Sequence, residues 1–377
     1  MEDLLRTYSM NEHPPTPLLP SVPPVKKRIK SRIREWTEAI FYAFVVVMLF
    51  RTFFFEAFTI PSSSMEKSLL EGDYIVVSKL HYGARLPMTP LSVPFFHQRL
   101  STHLKSYLDW IQLPYFRFPG FSEIKLNDIL VFNAPADPLE QDFPVDERTY
   151  YIKRCMGCAG DTFELKNALV YINGKAIPPP REAESEYVVK TDSVPLDYAK
   201  LRQLHINDLN SISAKGHYLV EMTRDAADSI RQWKHVLSVT PNVAGKGQRD
   251  EELFPYSKNF LSNLDNFGPF RIPHKGMSIT LSPDSLPLYG KIIADYEHVK
   301  VEVRGDTIFL DGKVSKTYTF RMNYYFMMGD NRHYSQDSRY WGFVPEDHVV
   351  GKAVLILTSL DRQNKGWRWD RLFKSIP

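Results

Sequence analysis

The first strong pattern along the chain is an apolar block, "WTEAIFYAFVVVMLFRTFFFEAF", from Trp36 to Phe58. Residues 40 to 50 are apolar on every helical face, which predicts a helix surrounded by lipid instead of one lying half-exposed on a core. Its uncharged part, Ala39 to Phe50, is 12 residues, shorter than the roughly 20 needed to span a bilayer. Counted through Arg51 to Phe55 it reaches spanning length, with Trp36 at one interface and the Arg51 head reaching toward the other.

Beyond the block the pattern changes to short β-branched and aromatic runs. "DYIVVSKL", "DILVFNAP" (128–135) and "RTYYIKRCMG" (148–157) predict strands. "ALVYINGKAI" (168–177) and "DTIFLDGKVSKTYTF" (306–320) predict hairpins, because Asn173-Gly174 and Asp311-Gly312 sit between apolar runs. Helical signals are few: Tyr198 to Gln203 and Met222 to His235. Residues 85 to 120, rich in proline and aromatics, read as a long ordered loop suited to an apolar shelf at a membrane surface. The expected fold class is therefore mainly β behind one N-terminal helix.

Charge adds direction to that helix. The net charge of +3, from 47 basic and 44 acidic residues, argues against a nucleic-acid partner. Six prolines between residues 11 and 24 predict an extended tail, and Lys26 to Arg34 is a basic run without an acid. Basic residues stay on the cytoplasmic side, so everything after residue 58 is expected across the membrane. A removable leader is disfavoured, since the nearest small-x-small pattern lies within Ser62, Ser63 and Ser64 themselves. Cys155 and Cys158 lack the further ligands a zinc site requires and read as two small core residues or a local disulfide.

The triple serine in "TIPSSSMEKSLLEGDYIVVSK" raises the question of a nucleophile, which needs a base. In an extended backbone Ser62 and Ser64 share one face and Ser63 takes the other. His333, Ser335 and Asp337 are close in sequence, but such a polar stretch is commonly a turn-rich surface. Lys67 completes an S-x-x-K pattern with Ser64, without the S-D-N and K-T-G elements that accompany it in acyl-transfer enzymes. Lys153, on a predicted strand, qualifies if an apolar interior lowers its pKa from roughly 10.4.

Three segments, "PSSSMEKSLLEGDYIVVSK" (61–79), "YYIKRCMGCAGD" (150–161) and "MGDNRHYSQDSRYWGFVPEDHVVGKA" (328–353), resemble bacterial type I signal peptidases, or leader peptidases. The resemblance implies a membrane-anchored Ser-Lys serine endopeptidase that cuts signal peptides from exported preproteins after a small residue, through an acyl-enzyme. Carried across, Ser64 matches the nucleophile and Lys153 the general base. Ser62 matches the hydroxyl that joins the Ser64 N–H at the oxyanion, and Ser335 the lysine-orienting serine. Gly72, Asp73, Arg154, Gly329, Asp330, Arg332, Asp337 and Arg339 match supporting positions, with an ion pair expected for Asp337 and Arg339 and another for Asp330 and Arg154. No cofactor or metal is implied. Signal peptides and the lipid bilayer are the implied partners, with the secretion machinery as a further candidate. The implied location is the cytoplasmic membrane, single-pass, with the N-terminus inside and the catalytic part outside.

Departures from the family pattern are Ser63 for glycine, Lys67-Ser68 for Pro-Thr, Cys158-Ala159 for Leu-Pro, and His333-Tyr334 for Asp-Asn. The expected division is a tail (1–35), an anchor (36–57), a signal-peptidase-like catalytic domain in two parts (58–177 and 321–360), a large inserted accessory β region (178–320) and a C-terminal tail (361–377). Two other readings compete: an acyl-transfer enzyme using Ser64 and Lys67, and a membrane-anchored scaffold without catalysis.

Overall fold

Backbone pairing, more than any single motif, decides where the apolar N-terminal block stops being helical. A computed structural model describes residues 32–94, 96, 98–101, 104–135, 140, 142–206, 209–211, 216–361 and 365–376. The proline-rich tail and most of the basic run therefore lie outside the described residues. Two compact units divide the chain, Met1–Val47 and Met48–Pro377. The helix Arg32–Phe53 is 22 residues long and buries none of its residues. By length and composition it can cross a membrane. It starts before Trp36 and ends short of residue 57, because Phe55–Thr59 leaves it to pair antiparallel with Asp73–Ser78.

The large unit is built on one antiparallel sheet. Its order is Phe55–Thr59, Asp73–Ser78, Val349–Asp361, Ile129–Asn133, Tyr150–Gly157, Tyr324–Met328 and Val344–Pro345. The 13-residue strand Val349–Asp361 thus lies between the second strand and Ile129–Asn133. One cluster, with Ile60, Met65, Leu69, Ile75, Val131 and Ile356, fastens the serine segment to this sheet. A second holds Leu130, Phe132, Cys155, Met327 and Trp341.

Thr162–Lys166 and Leu169–Ile172 do not join the main sheet; they form a smaller one with Phe267–Arg271. An inserted sheet, Glu184–Thr191 with His217–Thr223 and Val236–Pro241, has its own core of Val189, Leu201, Val220, Met222 and Ile230. The helix Tyr198–Gln203 occurs as expected, capped by Asp197. The second expected helix shortens to Arg224–Ile230, because Met222 and Thr223 complete a strand. Both Asn-Gly and Asp-Gly turns have positive φ at both residues, as tight primed turns require.

The 85–121 stretch is largely irregular and exposes Leu104, Leu108, Trp110, Phe116 and Phe121. Cys155 and Cys158 are free thiols whose Sγ atoms lie 3.8 Å apart. The contact with Cys158, and then burial, push the Cys155 thiol well above its ordinary pKa.

Gly72 has φ +89°, and a Cβ there would fall 2.1 Å from the Leu360 carbonyl oxygen. Gly72→Ala is accordingly expected to destabilise the fold by about 1–3 kcal/mol, read as a lower urea midpoint at unchanged slope. Asp73 next to it is fully buried and pairs with Arg371 at 2.6 Å.

Candidate active site

The serine run changes conformation in its middle. Ser62 is extended (φ −140°, ψ 162°), whereas Ser63–Met65 form one turn of 3₁₀ helix. The expectation of a continuous extended backbone, with Ser62 and Ser64 on a common face, is therefore not met. Met65 and Leu69, both fully buried, explain the turn, since they carry the chain back into the core beneath the sheet. Ser64 is left half-buried above them.

Lys153 projects from Tyr150–Gly157, which is paired with Ile129–Asn133. It is 5% exposed, and its Nζ donates to Ser64 Oγ at 2.5 Å. Burial lowers its pKa to about 8, against the opposing fields of Asp337 and Asp330. The neutral fraction of this amine, which grows as pH rises toward 8, has a lone pair to accept the Ser64 proton along this same line.

The loop after Tyr324–Met328 closes over the pair. A Cβ on Gly329 would lie 2.2 Å from Ser335 Oγ and 2.6 Å from the Ser64 carbonyl oxygen, so glycine is required by close approach. The Gly329 N–H donates to Asp337 Oδ2 at 3.0 Å. Asp337 also accepts two bonds from the Arg339 guanidinium, at 2.9 and 2.8 Å, and both side chains are buried. Asp330 holds Arg154 through two bonds of 2.8 and 2.7 Å and accepts from Ser68 Oγ at 2.5 Å. Arg332 is buried and has no carboxylate partner among the described residues; its guanidinium lies against the sulfurs of Met328 and Met156, and burial lowers its pKa to about 10.

Two expected roles find no contact here. Ser335 is buried, but among the described residues its hydroxyl reaches only the Gln336 carbonyl, at 3.5 Å, and makes no hydrogen bond to Lys153. Ser62 is exposed and its side chain caps nothing. Lys67 is also engaged elsewhere, in an ion pair with Glu184 at 3.2 Å and a bond to the His205 carbonyl at 2.6 Å. His333 accepts from the Glu186 N–H through Nδ1 and meets Asp265 Oδ1 through Nε2 at 3.1 Å, so it ties the loop to the inserted region.

Asn331 has no role assigned from the sequence. Its backbone N–H donates to the Ser64 carbonyl at 3.1 Å and its side-chain amide to the Ser63 carbonyl at 3.3 Å. The only available signal was its position between Asp330 and Arg332.

The family described as "Signal peptidase, peptidase S26" matches residues 33–240 and 309–358. Signal peptidase I of Haemophilus influenzae is 26% identical over 353 residues, covering 92% of this chain and 76% of the relative. That of Buchnera aphidicola subsp. Schizaphis graminum is 25% identical over 334 residues, covering 87% and 76%. That of Pseudomonas aeruginosa is 28% identical over 262 residues, covering 64% and 79%. These likenesses make the protein a serine endopeptidase of the signal peptidase I type. The chain belongs to the peptidase S26 signal peptidase family.

Proposed function

We propose that the protein removes N-terminal signal peptides from exported preproteins, with Ser64 as nucleophile and Lys153 as general base. The observation that carries this reading is the 2.5 Å contact between the Lys153 Nζ and Ser64 Oγ in a buried setting. Neutral Lys153 takes the Ser64 proton as Oγ attacks the carbonyl after a small residue. The Ser64 N–H and the Ser62 hydroxyl receive the oxyanion, and Lys153 returns the proton to the leaving amine. Water, deprotonated by the same lysine, then hydrolyses the acyl-enzyme. Ser335 steadies the lysine without adding charge.

Substrate adds as an extended strand beside Phe55–Thr59, the terminal strand of the main sheet, whose chain runs directly into the serine turn. The helix Arg32–Phe53 anchors the protein, and the exposed apolar residues of 85–121 rest in the outer leaflet. The Lys67–Glu184 contact speaks against the acyl-transfer reading, since it occupies the amine that reading needs.

The test is cleavage of an exported precursor by the full chain in detergent, with the cut mapped by N-terminal sequencing. A single cut after a small residue, lost in Ser64→Ala, is expected. No cut by the wild type, or an unchanged rate in Ser64→Ala, overturns the proposal.

A pH profile follows from Lys153. With its pKa lowered to about 8, roughly one-tenth of the lysine is neutral at pH 7. The kcat/KM for precursor should therefore climb nearly tenfold per pH unit below about 8 and level off above it. A profile flat between pH 6 and 9 contradicts the assignment of the base.

A further inference from the structure

Lys67 lies three residues after Ser64, at the end of the serine turn, and has φ +67°, a left-handed conformation unfavourable for a side chain with a Cβ. Such a conformation persists where its surroundings hold it. Here the lysine stem is largely covered, and the ammonium is held by Glu184 and the His205 carbonyl. Both partners belong to the inserted region, 117 and 138 residues away.

Glu184 is itself fixed to the catalytic loop. It is 2% exposed and forms a parallel bridge with Asn331. Its N–H donates to the Asp330 carbonyl at 2.8 Å, and its carbonyl accepts from the Arg332 N–H at 2.9 Å. Asn331 in turn holds the Ser63 and Ser64 carbonyls. The contacts close a ring from the serine turn through Asn331 to Glu184 and back through Lys67. Burial pushes the Glu184 carboxyl above the usual range, and the Lys67 charge opposes that shift.

We propose that the Lys67–Glu184 ion pair is a positioning device for catalysis, by which the inserted region holds the turn carrying Ser64 within reach of Lys153. The proposal rests on the catalytic reading of Ser64 and Lys153. Met65 and Leu69 anchor the turn from below, and residues 66 to 68 between them are partly exposed. The ion pair fixes that upper segment, and with it the direction of the Ser64 hydroxyl. Small displacements of a reacting group are costly in rate even when binding is intact.

The experiment uses the full chain in detergent with an exported precursor, comparing Lys67→Met, Lys67→Arg, Lys67→Glu, Glu184→Gln and the exchanged pair Lys67→Glu with Glu184→Lys. Lys67→Met and Glu184→Gln are expected to lower kcat by about 10- to 100-fold with KM within about twofold. Lys67→Arg should keep most of the wild-type kcat, and the exchanged pair should recover part of what Lys67→Glu alone loses. Arginine can keep an ion pair but cannot act as a base, so its rescue separates positioning from proton transfer.

A wild-type kcat in Lys67→Met overturns the proposal, even if its melting temperature falls. So does a Lys67→Arg variant as inactive as Lys67→Met. Should Glu184→Gln fail to fold, the Met and Arg variants decide the matter alone. Cleavage surviving in Ser64→Ala would instead overturn the catalytic reading. Inactive Ser64→Ala and Lys153→Ala beside a fully active Lys67→Met removes the positioning proposal only.

Discussion

Lys153→Ala is expected to lower single-turnover cleavage of a precursor by a factor on the order of 10⁴ or more, as removal of one member of a proton-transfer pair does elsewhere. Lys153→Arg should be equally inactive. Arginine would preserve length and charge, but its guanidinium has no lone pair to accept the Ser64 proton. The two variants together separate a base from a mere cation at the same place. Burial is the main force lowering the Lys153 pKa to about 8. A second consequence is that Lys153→Met, which keeps an apolar stem without a charge, should fold at least as well as the wild type while cutting nothing. A Lys153→Arg variant with more than a tenth of wild-type activity would remove the lysine from the mechanism.

Asp337→Ala is the change with the largest expected effect on stability, about 3–5 kcal/mol. Its carboxylate is fully buried and receives two guanidinium bonds from Arg339, together with the N–H groups of Gly329 and Arg339. Removing it leaves a buried guanidinium whose remaining partners among the described residues are the carbonyls of Arg332 and Leu264. Chemical unfolding followed by circular dichroism checks the magnitude; a loss below about 1 kcal/mol would show that the pair contributes little. The same group fixes a pH dependence. Burial raises its pKa, but Arg339 and the N–H donors outweigh burial and bring the net value below the ordinary 3.8. Its stabilisation is thus present above that ordinary value and is lost as pH falls through the lower folded one. Wild-type stability should decline below about pH 4, and Asp337→Ala should lack that component of the decline.

Local signals made much of the framework legible in the sequence. The apolar block, the β-branched runs, the Asn173-Gly174 and Asp311-Gly312 turns and the Asp197-capped helix each depend on residues within a few positions of one another. The Asp330–Arg154 and Asp337–Arg339 contacts were legible through resemblance, because the segments carrying them are distinctive. Alternation in the serine run misled, because it treats the backbone as uniform, while burial of Met65 and Leu69 turns the chain at Ser63. Asn331, Glu184 and the partners of Lys67 were not legible at all. Their contacts span more than a hundred residues, and no periodicity encodes which carbonyl a distant amide or ammonium will find. His333 was noticed as a departure from the family pattern, but its bonds to Glu186 and Asp265 depend on how the inserted region docks.

The placement of Val349–Asp361 between Asp73–Ser78 and Ile129–Asn133 has a temporal meaning. A ribosome delivers Ser64 first and Lys153 next, yet the strand that joins their halves of the sheet is made nearly two hundred residues after the lysine. Until it arrives, Asp73–Ser78 and Ile129–Asn133 have no common neighbour, and the Asn331 bonds to the Ser63 and Ser64 carbonyls are a late addition too. On the proposed roles of Ser64 and Lys153, a growing chain that already contains both residues still lacks the strand that joins their halves of the sheet, and completion of the site waits on the last long strand at the middle of the sheet.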